Sequence, residues 1–154
     1  MKKLAALIAV AGLGLGATTA LGASAATVAT RGTSLGTVLV AANGHTLYMF
    51  TADSKTKSNC TGACAQNWTP LTTKGAAAAK GSAKKSELGT ISRGGGVEQV
   101  TYNGHPLYQY IADTAAGQVN GEAQDVDGGW WYALSANGSV IKGTSKSGGG
   151  SYRR

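Results

Sequence analysis

NGHTLYMFTAD (residues 43–53) and NGHPLYQYIAD (residues 103–113) are two copies of one segment, and they decide the fold. They align without a gap at an offset of 60 residues, and seven of the eleven positions are identical. Such identity at a fixed offset indicates an internal duplication. The sequence therefore predicts two related halves that share one local structure.

Each copy has the pattern of a β-hairpin. In both, a strand-forming run leads into an Asn-Gly pair: TVLVA (37–41) before Asn43-Gly44, and EQVTY (98–102) before Asn103-Gly104. An Asn-Gly pair is typical of a two-residue turn in which both residues have positive φ. In the outgoing strands, Leu47 and Leu107 are predicted to face the side opposite to Tyr48 and Tyr108.

Further strands are predicted around the two copies. They are TVATR (27–31), LGTIS (88–92) and a third hairpin, WWYALSANGSVIK (130–142). No stretch after residue 25 has a long helical period. We therefore expect an all-β fold, one compact domain of about seven or eight short, mostly antiparallel strands with pseudo-twofold symmetry, arranged as a sandwich or a barrel.

The first 25 residues have the pattern of a secretory signal peptide. Lys2 and Lys3 precede an apolar run (4–22), and Ala23-Ser24-Ala25 has the small-x-small pattern of a cleavage site. We expect a secreted or cell-envelope protein whose mature chain has no transmembrane segment.

The expected organisation has three parts. They are the signal peptide (1–25), a duplicated all-β domain (26–143) and a flexible basic tail (144–154). Within the domain, repeat 1 spans about 27–73, a linker loop 74–86, and repeat 2 about 87–143. Many of the basic residues behind the net charge of +7 lie in the linker and the tail, away from the aromatic residues. That separation does not favour a nucleic-acid partner.

The repeated motif resembles a known family. Tyr48-Phe50-Asp53 and Tyr108-Tyr110-Asp113 resemble the bacterial secreted repeat family described as predicted lipoproteins with a Yx(FWY)xxD motif. CTGACAQNWTPL (60–71) and VTYNGHPLYQY (100–110) extend the resemblance. It implies a small secreted or envelope-associated protein of uncharacterised role, and it supplies no catalytic residues.

Cys60 and Cys64 are the only cysteines in the sequence. In an exported chain, two cysteines this close most simply form a local disulfide, and Gly62 between them lets the backbone bend. A redox-active pair is the alternative, although such pairs usually have C-x-x-C spacing at a helix start.

The two histidines and two of the aspartates occupy equivalent positions in the two copies. His45 and His105 follow the turns, and Asp53 and Asp113 end the strands. Contact between the repeats would assemble them into a zinc or copper site. Alternatively, duplication copied a hairpin histidine and a turn-forming aspartate.

Six aromatic residues are candidates for ligand binding: Tyr48, Phe50, Tyr108, Tyr110, Trp130 and Trp131. The four from the repeated motif would form a stacking platform for sugar rings or aromatic ligands, but a chain with ten aromatic residues needs most of them for its core. An exposed tryptophan in the adjacent pair would indicate a binding surface. Since adjacent strand residues point to opposite faces, we expect one of Trp130 and Trp131 to be buried and the other largely exposed.

No catalytic signature stands out in this sequence, so we expect no enzyme. The function that we expect is a non-enzymatic binding or interaction module, with a component of the cell envelope as partner and with no cofactor. The alternative is a metal-binding or redox-linked envelope protein that uses the histidines and aspartates or the cysteine pair.

Overall fold

Short strands make up most of the regular secondary structure in the computed structural model, which describes residues 24–143. The elements follow one another as β1 (Thr27–Thr33), β2 (Gly36–Ala41), β3 (Tyr48–Phe50), α1 (Ala63–Asn67), β4 (Trp68–Pro70), β5 (Thr72–Thr73), β6 (Ala78–Ala79), β7 (Leu88–Ser92), β8 (Glu98–Tyr102), β9 (His105–Pro106), β10 (Tyr108–Tyr110), β11 (Gln124–Val126) and β12 (Gly129–Ala133). A 3₁₀ turn (Lys85–Glu87) precedes β7. The predicted all-β fold is confirmed, with the strands divided into shorter segments than expected.

The strands form three sheets, which have the orders β2-β1-β6, β11-β12-β3-β10-β4 and β5-β8-β7, with β9 on β8. β1 pairs with β6 in parallel, while the other strand pairs are antiparallel. The strands predicted before each copy of the motif are present as β1 and β7.

The central sheet joins the two halves through an exchange of strands. β3 and β10, the two motif strands, meet where Tyr48 pairs with Tyr108. β4 from the first half pairs with β10 of the second, and β12 from the second half pairs with β3 of the first. Each half therefore completes the sheet of the other, and a pseudo-twofold axis runs between β3 and β10.

The side chains on the two faces of the motif strands pack into two separate apolar clusters. Leu47, Met49 and Leu107 belong to one cluster, while Tyr48 and Tyr108 belong to the other. The predicted alternation of faces is confirmed. Leu47 and Leu107 are both fully buried in the same cluster, so the two copies use this leucine in the same way.

The turns of the two copies differ. In the second, Asn103 (φ 49°) and Gly104 (φ 77°) form the predicted two-residue turn. In the first, Gly44 N–H donates to the Ala41 carbonyl and Ala41 N–H donates to the His45 carbonyl, which encloses a three-residue loop. The prediction of positive φ at both positions was therefore wrong for the first copy.

The side chain of Asn43 stabilises the three-residue loop of the first copy. Its Oδ1 accepts a hydrogen bond from His45 N–H, and its Nδ2 donates to Gln109 Oε1 of the other repeat. In the third predicted hairpin, Gly138 N–H donates to the Ser135 carbonyl, so that this hairpin turns like the first copy.

The segment 74–86 is not a plain loop. Ala78 and Ala79 form β6, which pairs with β1, and Ala77 is buried. Lys84 N–H donates to the hydroxyl of Tyr102 in the second repeat. The low-complexity composition concealed this strand because alanine has little β-propensity of its own.

The predicted signal peptide (1–25), apart from its last two residues, and the predicted tail (144–154) lie outside the described residues. Within 24–143, no helix has the length and apolar character that a membrane-spanning helix requires.

Candidate functional site

The tyrosine and the aspartate of the repeated motif bind each other across the two repeats. The Tyr48 hydroxyl donates to Asp113 Oδ2 at 2.6 Å, and the Tyr108 hydroxyl donates to Asp53 Oδ2 at 2.5 Å. Each motif thus supplies the donor of one bond and the acceptor of the other. The motif therefore joins the repeats through two reciprocal hydrogen bonds, which we call the Tyr–Asp locks.

The second carboxylate oxygen of each lock is held in the same way in both repeats. Asn59 N–H donates to Asp53 Oδ1 at 2.7 Å, and Asn120 N–H donates to Asp113 Oδ1 at 2.9 Å. The two asparagine side chains bind back to the carbonyls of Ala52 and Ala112. The segment after each motif strand is therefore folded around its aspartate.

Burial keeps both tyrosines protonated and able to donate. Burial raises the pKa of Tyr48, and the bond to the Asp113 carboxylate raises it further. Burial also raises the pKa of Tyr108, with an added contribution from Asp53. The pKa of Asp53 is raised by its own burial, against the opposing effects of the Tyr108 and Asn59 hydrogen bonds.

Four aromatic rings stack across the pseudo-twofold axis. Trp68 and Trp131 lie face to face at its centre, with ring centroids 3.8 Å apart. Phe50 stacks on Trp131 at 4.2 Å, and Tyr110 stacks on Trp68 at 4.2 Å. Because β4 and β12 are exchanged, each tryptophan stacks on the third motif residue of the other repeat. This stacking explains why that motif position is aromatic.

The two ends of this stack are not equivalent. Phe50 is 2% exposed, and a Cβ placed on Gly129 would lie 2.9 Å from its ring. Tyr110, at the equivalent position of the second repeat, is only half-buried. The stack is therefore closed at Phe50 and open at Tyr110.

A cleft of about 410 Å³ lies at the open end of the stack. Its lining residues come from both repeats: His45, Thr69, Gln109, Tyr110, Ile111, Asp113 and Thr114. Ile111 is 63% exposed, which is high for a large apolar side chain. Asn43 Nδ2 donates a hydrogen bond of 2.9 Å to Gln109 Oε1 at the surface. The cleft combines an aromatic ring, an exposed apolar side chain and polar groups.

The other predicted aromatic binding residues lie mostly in the core. Tyr48, Phe50, Tyr108 and Trp131 are almost completely buried, so the structure does not present them to a ligand. Trp130 is 39% exposed and stacks on Tyr132. The expectation that one of the two adjacent tryptophans is buried and the other exposed is confirmed.

The structure does not assemble the predicted metal ligands. Within residues 24–143, no three His, Cys, Asp or Glu side chains are grouped as a metal ion requires. Asp53 and Asp113 accept hydrogen bonds from tyrosines, while His45 lies at the cleft. Burial and the nearby Lys55 lower the pKa of His105, which lies in β9. The contact between the repeats places a tyrosine hydroxyl on each aspartate, and His45 borders the same cleft as Asp113 without a third metal ligand among residues 24–143.

Cys60 and Cys64 form the predicted disulfide. The two residues are buried against the aromatic cluster that holds Tyr108 and Trp131. Cys64 lies in the short helix α1, which ends next to Trp68. The bridge therefore fixes the segment from which the exchanged strand β4 begins.

Sequence reasoning missed Gln109, Thr69 and Ile111 as cleft residues. All three lie in or next to β10 and β4, so the cleft depends on the pairing of these strands across the repeats. The one signal for them in the sequence was Gln109, a polar residue where the first copy has Met49.

Comparison with known families agrees with this two-part construction. A family model described as a secreted repeat of unknown function matches the chain twice, over residues 29–72 and 89–134. Each match runs from the first strand of one half to its exchanged strand. No curated protein and no solved structure matches the chain.

Proposed function

This chain belongs to that family of secreted repeats, and from this premise we propose that it is a non-enzymatic binding module that takes its ligand in the cleft at Tyr110. The family places the protein in the extracellular space or the cell envelope, as its motif predicted. A component of the envelope or of the medium is then the natural partner.

One observation carries the proposal, namely the difference between two equivalent positions. Phe50 and Tyr110 have the same place in their repeats and stack on equivalent tryptophans, yet Phe50 is 2% exposed whereas Tyr110 is half-buried and borders a cleft. If the four stacked rings served only to fill the core, we would expect both ends of the stack to be buried. An aromatic ring open at one end of a rigid stack is a surface on which a planar or ring-shaped ligand can lie.

The polar groups around Tyr110 favour a sugar ring as the ligand. A pyranose has an apolar face, which packs on an aromatic ring, and a rim of hydroxyl groups, which need hydrogen-bond partners. Gln109 Nε2, the Thr69 hydroxyl and the His45 imidazole border the cleft and supply donors and acceptors. The hydrogen bond from Asn43 occupies Gln109 Oε1 and thereby directs the Gln109 amide nitrogen to other partners.

The hydrogen bonds of Asp113 support binding rather than catalysis. This carboxylate borders the cleft, but it is only 1% exposed. Its two oxygens accept hydrogen bonds from Tyr48 and Asn120. A general acid or base must exchange a proton with a bound substrate, and we assign Asp113 a structural role because it is buried and both of its oxygens have protein partners.

Titration with simple sugars tests the proposal. Backbone amide signals are followed by NMR while glucose, N-acetylglucosamine or galactose is added to the purified protein. We expect shifts at residues 109–114 and around Thr69. Tyr110→Ala should weaken binding by about tenfold, the effect of one aromatic contact.

Trp130→Ala is the matched control, because Trp130 is an exposed aromatic residue on the β11–β12 hairpin at the other edge of the sheet. It should leave binding unchanged. Shifts confined to that hairpin, or binding that survives Tyr110→Ala, would overturn the assignment of the cleft.

A further inference from the structure

Arg93 is held in one position by three neutral acceptors. Its Nη1 donates to Ser58 Oγ at 2.6 Å and to Gln99 Oε1 at 2.8 Å, and its Nη2 donates to the Cys60 carbonyl at 2.8 Å. Gln99 is fully buried and is itself bound to the Leu107 carbonyl. The disulfide at Cys60 fixes the third acceptor. The guanidinium is therefore preorganised by the core.

The same guanidinium keeps donors that no side chain or backbone group in residues 24–143 uses. An arginine has five N–H donors, of which those on Nε and one on Nη2 are left after these three bonds. Arg93 is half-buried and borders a surface cleft. An arginine with fixed orientation and spare donors is suited to bind an anion.

Arg93 borders a cleft of about 230 Å³ that is separate from the one at Tyr110. Its lining consists of two cationic and three hydroxyl side chains: Lys57, Ser58, Thr61, Ser92 and Arg93. The cleft has room for a tetrahedral oxyanion and part of its hydration shell. No carboxylate belongs to the lining.

Two carboxylates lie near this cleft without occupying it. Asp53 ends a chain of hydrogen bonds that runs from Arg93 through Ser58 and Tyr108, and its two oxygens already have partners. Glu98 lies opposite Ser92 in the strand pair of β7 and β8. Asp53 and Glu98 together carry as much negative charge as Lys57 and Arg93 carry positive charge. An anion in this cleft would therefore be recognised through the directed N–H and O–H donors of the lining, and not through an excess of positive charge.

We propose that this cleft binds a phosphate group. The guanidinium supplies directional N–H donors, the lysine supplies a second positive charge, and the hydroxyls complete the shell around the oxygens. Phosphate fits better than carboxylate because its tetrahedral oxygens use donors from several directions. The proposal is independent of the sugar cleft, since the two sites share no residue.

The test measures phosphate binding to the purified protein at low ionic strength by NMR titration and calorimetry. The probes are inorganic phosphate, glycerol 3-phosphate and dimethyl phosphate. We expect amide shifts in 57–61 and 92–94. Lys57→Ala should weaken binding by about threefold to fivefold, and Arg93→Lys, which keeps the charge but loses the planar fork, by about tenfold.

Lys80→Ala is the matched control, because Lys80 is an exposed lysine outside the cleft lining and should have no effect. Thr61→Ala, also at an exposed residue, keeps the test valid if Arg93→Lys fails to fold, and it too should weaken binding. If Lys57→Ala and Thr61→Ala bind like the unmodified protein, or Lys80→Ala weakens binding as much as Lys57→Ala, the site is refuted.

The three probes distinguish the possible sources of the phosphate group. Binding of dimethyl phosphate assigns the site to phosphodiesters, as in an anionic envelope polymer. Binding of inorganic phosphate and glycerol 3-phosphate alone assigns it to free phosphate or a monoester. Either pattern supports the site, whereas absence of binding by all three overturns it.

Discussion

Two tyrosine hydroxyls hold the repeats together, and they do so in different surroundings. Tyr48 binds Asp113, which is 1% exposed, and it also accepts a hydrogen bond from Gly121 N–H. Tyr108 binds Asp53, which is only partly buried, and has Ser58 as a further partner. The Tyr48 hydroxyl therefore binds a more deeply buried carboxylate than the Tyr108 hydroxyl does.

Tyr48→Phe should consequently destabilise the protein by about 1–3 kcal/mol, because it leaves a buried carboxylate with one partner fewer. Tyr108→Phe should cost less, since water can replace the lost donor at Asp53. Urea unfolding of both variants measures the difference. Tyr110→Phe, which introduces the residue that the first repeat already has at this position, is the control and should change stability little. Equal losses for Tyr48→Phe and Tyr108→Phe would contradict this assignment.

The histidine of the second repeat should make stability depend on pH. Burial and Lys55 lower the pKa of His105, so the folded state favours the neutral imidazole. This contribution to stability is present above the ordinary pKa of about 6.5 and is lost as the pH falls through that value toward the lower folded pKa. Unfolding free energies measured between about pH 8 and pH 5 should fall less for His105→Gln than for the unmodified protein. An identical pH profile for both proteins would show that His105 is not responsible.

At the scale of elements, the two motif hairpins share strands but not turn environments. Gly44 and Gly104 both have positive φ, at 82° and 77°. A Cβ at Gly44 would lie 2.8 Å from the Cβ of Ala116, whereas at Gly104 it would meet the flexible chain of Lys55 at 3.1 Å. The backbone strain of a substitution is similar at the two positions, but the steric cost is not.

Gly44→Ala should therefore lower the denaturation midpoint more than Gly104→Ala. Both variants carry the cost of an L-residue at positive φ, about 1 kcal/mol, and Gly44→Ala must in addition displace the segment around Ala116. Gly36→Ala is a suitable reference, because Gly36 has positive φ and nothing within 4 Å of its added Cβ. A larger loss at Gly104 than at Gly44 would be inconsistent with this packing.

Some of these elements could be predicted from the sequence, and others could not. Most of the strands, the positions of the hairpin turns and the alternating faces of Leu47 and Tyr48 follow from local patterns, because these properties depend on neighbouring residues. The strand β6 and the three-residue loop at Asn43 did not follow from them. The exchange of β4 and β12 depends on contacts more than 30 residues apart, and no local pattern encodes it. Both the Tyr–Asp locks and the cleft at Tyr110 result from that exchange. This is why the sequence analysis identified the motif residues but assigned them other partners.

For the whole molecule, the exchange means that the repeats are one structural unit. The contacts between them include the β3–β10, β4–β10 and β12–β3 pairs, two Tyr–Asp bonds and the aromatic stack. Without the other half, β3 would lose its neighbour β12, and β10 would lose its neighbour β4.

A protein cut between the repeats should accordingly stay together. A protease site placed between Gly81 and Ser82, which are both exposed, opens the chain between β6 and β7. After cleavage the two fragments should elute as one species in size-exclusion chromatography and separate only in denaturant. The same protein before cleavage is the control. Two separately folded monomers after cleavage would contradict the reciprocal exchange.

The segment that links the two halves (74–86) also matters for a protein that works outside the cell. Two unlinked single repeats that exchanged strands in this way would form a homodimer, and a homodimer dissociates when it is diluted. A short covalent link instead holds each repeat near its partner at an effective concentration on the order of millimolar, whatever the bulk concentration. Duplication within one chain thus makes the lock insensitive to dilution, and a secreted protein of this construction keeps its fold as it diffuses away from the cell that made it.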